Sequence, residues 1–175
     1  NPLAALRFDD LVIRAPQRVL LTTNLGTAEA ALDLVLSGTA ADPRLSGNAQ
    51  ALRGNLRFSG RDFTIDRAVA TFSPSRGVFP ELDVAAHAEF DKARVVASDE
   101  RVSFSAPREG QSFVVNLAFT GQMLPAPAEE GGFRFDVQPR VSSDARIEVE
   151  GEGVRAFTEA ELMSLIALGR FELNA

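Results

Sequence analysis

The chain contains no cysteine, no tryptophan and no tyrosine, and its single lysine is Lys92. Without cysteine there is no disulfide framework, no thiolate nucleophile and no thiolate metal site. Without Trp or Tyr, all thirteen aromatic rings are Phe. Phe carries apolar area and no polar handle, so these rings suit a dry surface better than an interfacial belt or a sugar-stacking platform. Basic residues are outnumbered, 18 against 24 acidic ones, for a net charge of -6. That balance leaves no electrostatic footprint for phosphates, and no nucleic-acid partner is expected. No run approaches the ~20 apolar residues of a membrane-spanning helix. The chain opens Asn1-Pro2 without a signal-like segment and reads as a piece of a longer protein.

What is present is a strand pattern. With 175 residues, 45% of them hydrophobic, and a mean hydropathy near zero, the chain suffices for one domain with a sizeable core, expected over residues 1–175. Apolar side chains recur with period two, the strand period. Leu32, Leu34 and Leu36 alternate with Asp33, Val35 and Ser37; Leu82, Val84, Ala86, Ala88 and Phe90 alternate with Asp83, Ala85, His87 and Glu89. Phe113, Val115, Leu117 and Phe119 follow the same rule, as do Phe133, Phe135 and Val137, then Ile147 and Val149. Val102 and Phe104 share the spacing. Each such set lands on one face of a pleated strand.

Two stretches change phase. Leu45, Gly47, Ala49 and Ala51 give way to Leu52, Gly54, Leu56 and Phe58, and Phe63 and Ile65 give way to Ala68, Ala70 and Phe72. One inserted residue flips every following side chain, so each shift is either a β-bulge or a short turn. Turn residues cluster at Ala15-Pro16, Asn24 to Gly26, Ala41 to Pro43, Ser59-Gly60, Ser73 to Gly77 and Arg108 to Gly110. Leu124 to Gly132, with two Pro and two Gly, has the composition of a mobile loop. The recurrence of strand and turn suits an antiparallel meander. The end of the chain differs. Thr158-Glu159-Ala160-Glu161 has capping-box spacing, Leu162, Leu165 and Ile166 make a helical face, and Gly169 is a stop, so a short helix should pack on the end of the sheet.

Reactive groups are sparse. His87 is the sole imidazole, alternates with inward apolar positions and has no Cys or second His to form a zinc site. No Gly-x-Ser-x-Gly elbow accompanies it. Asp and Glu fall mostly at outward positions, where solvation is their ordinary role, and neither Gly131-Gly132 nor Gly151-Glu152-Gly153 has phosphate-loop spacing. No catalytic, cofactor-binding or metal-binding residue is expected, and the protein is not read as an enzyme. The apolar face itself has two readings: the core of a closed β-sandwich binding or adhesion module, or the dry lining of an open trough.

Gly38-Thr-Ala-Ala-Asp-Pro-Arg-Leu-Ser-Gly47, then Leu52-Arg-Gly-Asn-Leu-Arg-Phe58 and Gly60-Arg-Asp-Phe-Thr-Ile65, resembles the C-terminal domain of the TamB family. Phe72, Pro80-x-Leu82-Asp-Val84-x-Ala86 and the closing Glu159-Ala-Glu161-Leu-Met-Ser-Leu-Ile-Ala-Leu-Gly169-Arg170 continue the likeness. The resemblance implies an all-β fold: a curved, mostly antiparallel sheet forming an open U-shaped trough with a hydrophobic interior, plus a short C-terminal helix. It implies a periplasmic module of an envelope protein anchored in the inner membrane by a segment missing here. Its partners would be an outer-membrane protein of the TamA/BamA type, and phospholipid acyl chains or client outer-membrane protein strands. No cofactor is implied. Family members continue with further strands, which leaves open whether the outer-membrane docking end is present. The expected groove lining is Leu32, Leu34, Leu36, Leu56, Phe58, Phe63, Ile65, Phe72, Leu82, Val84, Phe90, Val102, Phe104, Phe113, Val115, Leu117, Phe119, Phe133, Phe135, Val137, Ile147 and Val149. A charge at an inward position such as Leu117 is expected to block lipid use.

Overall fold

A computed structural model describes residues 6–91, 96–97, 102–104, 112–127 and 131–171. Its main body is a seven-stranded sheet built as a meander. Strands β1 (Arg7–Thr23), β2 (Gly26–Thr39), β3 (Pro43–Phe58), β4 (Arg61–Phe72) and β5 (Glu81–Asp91) pair in sequence order. After β6 (Val96–Ala97) and β7 (Val102–Phe104) the chain returns as β8 (Ser112–Pro125) and β9 (Phe133–Ser143), which extend the sheet from β5. Every neighbouring pair in it is antiparallel, and the sheet does not close into a barrel. Strand β10 (Arg146–Val149) sits between β11 (Gly153–Ala156) and β7 in a three-stranded sheet. Helix α1 (Glu159–Leu168) follows, and β12 (Arg170–Phe171) pairs in parallel with β6.

The period-two pattern fixes the register. One row crosses all seven strands as Ala15, Leu32, Ala49, Ala70, Leu82, Gly121 and Val137. The adjacent row on the other face reads Arg14, Asp33, Asn48, Thr71, Glu81, Gln122 and Asp136. A slip of one residue in any strand would exchange a dry position for a wet one, so burial holds the register. On the wet face Arg14 pairs with Asp33 directly opposite at 3.1 Å, Arg53 with Glu29, and Arg57 with Asp62 at 2.9 Å. Such exposed pairs add little stability singly, but like charges in these positions would oppose the register.

Both phase shifts are bulges within continuous strands. In β3, Leu52 is the extra residue, since Glu29 faces Arg53 while Ala30 faces Ala51. In β4, Asp66 is extra, since Ile65 faces Ala86 while Arg67 faces Ala85. Each bulge bends its strand and raises the local twist, which curves the sheet around its apolar face. The Ala15-Pro16 break is also a bulge and not a turn. Strand β1 runs through it, with Pro16 to Arg18 standing opposite Ala31 alone. Proline is tolerated there because β1 is at the end of the sheet and the insertion removes that stretch from the ladder.

The other expected breaks are real connections where they are described. Residues 24–25 and 40–42 join hairpins, and Ser59-Gly60 makes a two-residue turn with φ of +49° and +80°, the geometry that matches strand twist. A 3-10 helix forms at Pro74–Arg76. Leu124 and Pro125 still belong to β8. Arg108 to Gly110, and residues 128–130 of the expected loop, lie outside the described residues. Gly47 (φ +107°) in β3 shows why the family-like Leu-x-Gly carries glycine: a Cβ there would come within 2.1 Å of the Asp33 carbonyl oxygen on β2.

Candidate functional site

The dry face is one surface that α1 covers only in part. At one end the helix lies on it. Leu162, Leu165 and Ile166 of α1 are buried against Phe63, Phe90, Phe113, Val115, Leu117 and Val141, with Phe157, Ile147 and Val149 completing the cluster. Phe113 stacks between Phe90 (5.7 Å) and Phe157 (5.8 Å), and Phe58 meets Phe63 edge-on at 6.4 Å. At roughly 1.5–3 kcal/mol per fully buried large apolar side chain, this contact dominates the docking of α1.

Polar contacts fix the helix in place. Thr158 and Glu161 form a reciprocal capping box, and Gly169 in the left-handed conformation ends the helix. Arg155 of β11 donates to both Glu161 carboxylate oxygens at 2.9 and 2.7 Å, and Glu161 also accepts from the Thr158 backbone N–H at 2.8 Å. Burial pushes the Glu161 carboxyl up. The Arg155 hydrogen bonds, the Thr158 backbone and hydroxyl, and the Arg155 charge outweigh it, so the carboxyl is held below its usual range. Glu159 Oε1 accepts the Val141 N–H at 3.1 Å, tying the helix start to β9. Arg61, across from Phe58 on the dry face, donates to the Ile166 carbonyl at 3.2 Å and lies 4.9 Å from the Phe90 ring centroid. It therefore satisfies a C-terminal carbonyl and complements the helix dipole. Gly60-Arg61-x-Phe63 thus encodes a turn, a helix anchor and a fully buried ring.

Toward the other end the same face is not covered by α1. Leu32, Leu36, Phe72, Leu82 and Val137 are half-buried there, and Leu34 and Val84 are buried. Phe133 and Phe135, 5.5 Å apart, are 57% and 41% exposed. Of the remaining expected lining, Leu56, Phe58 and Phe119 are partly buried against the helix cluster, and Ile65 is half-buried between the two regions. Ile147 and Val149 sit on β10, opposite Phe104 and Val102 of β7, outside the seven-stranded sheet. The side chains of Val102 and Phe104 lie outside the described ones.

The sequence reasoning missed β1. Leu11, Ile13 and Leu21 face the same side as Leu36, Leu34 and Ala28 and are 52%, 37% and 45% exposed. Leu45 and Met123 extend the surface on β3 and β8 through Leu36 and Phe135. Leu11-x-Ile13-x-Ala15 has the right alternation, but Pro16 made it look like the approach to a turn. An open apolar hollow of about 170 Å³ is lined by Leu21, Leu25, Ala28, Leu56 and Ile65 among others.

The wet face carries little chemistry. His87 Nδ1 lies 2.7 Å from Asp66 Oδ1 at the β4 bulge. A hollow of about 570 Å³ lined by Thr71, Glu81, Thr120, Gln122 and Gln138 among others is polar and open. No group of three possible metal ligands occurs among the described residues. No helix among them is long and apolar enough to cross a membrane.

These residues build a curved antiparallel sheet that does not close into a barrel, with its apolar side chains on one face and a short C-terminal helix over part of that face. The chain belongs to the TamB C-terminal domain family, whose model matches residues 2–175. That family is the translocation and assembly module, a cell-envelope, non-enzymatic family of outer-membrane biogenesis that works with TamA-like outer-membrane partners. No curated protein and no solved structure matches the chain.

Proposed function

We propose that residues 1–175 act as one periplasmic module whose open apolar face receives phospholipid acyl chains during outer-membrane biogenesis. The full-length protein is then anchored in the inner membrane by a segment outside this chain and meets an outer-membrane TamA/BamA-type protein. The observation that supports the lipid reading is the division of the dry face. Beyond α1, Leu and Phe side chains line a curved surface that no second sheet covers among the described residues. Each methylene buried against such a surface gains up to about 0.8 kcal/mol without any directional bond, so an acyl chain needs no specific polar partner there.

A second reading, client β-strands, rests on the rims. At β9, Pro139 lacks a donor and Glu159 takes the Val141 N–H. Strand β1, 17 residues long with Leu20 and Val12 exposed as well, is the better edge for strand addition.

Leu32→Glu tests the lipid reading. Leu32 stands mid-face between Ala15 and Ala49. A lone carboxylate there should weaken binding of a fluorescent fatty acid at least roughly tenfold, because its desolvation costs more than the ~1.4 kcal/mol that tenfold requires. Unchanged affinity in a variant with wild-type circular dichroism and urea midpoint sinks the lipid reading. A client strand added at β1 would be indifferent to the change.

A further inference from the structure

We propose that α1 is an autoinhibitory plug: it occupies the half of the trough that the sheet alone would offer to an acyl chain, and undocking it lengthens the groove. The proposal rests on the reading of the open half as a lipid surface. Three observations carry it.

The sheet does not change character where the helix begins. The row Ala68, Val84, Phe119, Pro139 is followed by Ile65, Ala86, Leu117, Val141, as apolar and in the same register. What changes is the cover. Second, two polar ties of α1 to the seven-stranded sheet lie near its ends, Glu159 to Val141 N–H and the Ile166 carbonyl to Arg61. Its own fold rests on different residues, Thr158, Glu161 and Arg155, which do not belong to that sheet. The contacts that keep α1 helical are therefore separate from those two ties to the sheet. Third, Arg61 is a cation among apolar neighbours on the dry face, a costly placement that the helix's C-terminal carbonyl relieves.

The experiment uses the whole chain with benzoylphenylalanine at Phe72, in the open half, or at Phe58, beside the helix, irradiated with vesicles of phosphatidylethanolamine and phosphatidylglycerol. In the wild-type background Phe72 should capture lipid strongly and Phe58 weakly. In the Arg61→Ala/Glu159→Ala background, amide exchange of α1 should accelerate and capture at 58 should rise several-fold, with capture at 72 unchanged. Leu165→Glu, which puts a carboxylate on the helix's buried side, should act in the same way. Capture at 58 that stays weak although α1 exchanges faster overturns the plug. So does α1 protection that survives both variants, which makes the helix a fixed wall, or equal capture at both sites in the wild-type background. Absence of capture at 72 in every background instead removes the lipid reading itself.

Discussion

Leu117→Glu should cost more stability than the ~2–5 kcal/mol typical of truncating a buried Leu, and its effect should be on the fold. Leu117 is 1% exposed, flanked by Ala86 and Val141 in the sheet and roofed by the α1 cluster. A carboxylate there loses the packing of the leucine and has no partner in the cluster, so it must either protonate or force the helix off. Leu117→Met, which keeps the volume, should cost less than ~1.5 kcal/mol. Urea unfolding of the two variants makes the comparison; a Glu variant within about 1 kcal/mol of the Met variant contradicts a dry core beneath α1. The expectation that a charge at Leu117 reports on lipid use therefore has to move to the uncovered half, to residues such as Leu32.

Acidification should loosen α1 through Glu161. Its carboxyl titrates below the ordinary range once folded, so its contribution to stability is fully present above the unfolded value near 4.5 and is lost as pH falls through the folded value. Between pH 7 and 5 this group adds no slope. Below about pH 4.5 the urea midpoint of the wild-type chain should fall, and Glu161→Gln should remove part of that fall. At neutral pH, Glu161→Ala breaks the pair with Arg155. Breaking a buried pair costs about 3–5 kcal/mol; here less, roughly 2–3 kcal/mol, is expected, because Arg155 keeps Glu152 and is partly exposed. Identical acid profiles for wild type and Glu161→Gln would remove Glu161 from the account of helix docking.

Much of this architecture is legible in the sequence because β periodicity leaves no ambiguity about faces. Leu32, Leu34 and Leu36 are on the dry side and Asp33 on the wet one for the same reason that Phe113, Val115 and Leu117 are buried beside exposed Asn116. The shifts at Leu52 and Asp66 were visible as changes of phase, but a bulge and a tight turn make the same change; only cross-strand pairing separates them. Pro16 hid β1 because proline in a strand is compatible with a sheet edge, and edges are a property of topology. Ile147 and Val149 alternate like the main strands yet pair with β7, since a short strand's partners depend on where the chain returns. The division of the dry face was also out of reach. Apolar residues below α1 and beyond it obey one pattern, and what covers them is decided by long-range packing of α1, which the Arg61–Ile166 contact spanning 105 residues accompanies. The helix itself was legible to its caps, Thr158 and Gly169, because capping is local chemistry.

Native mass spectrometry of the intact chain, purified from a bacterial envelope under mild conditions, tests the central claim most directly. A face left open to acyl chains should carry phospholipid through purification, giving adducts one lipid heavier than the chain that are lost in Leu32→Glu. Spectra free of lipid in the wild-type chain, or adducts equally abundant in Leu32→Glu, would contradict a lipid-bearing trough and leave the dry face to client strands.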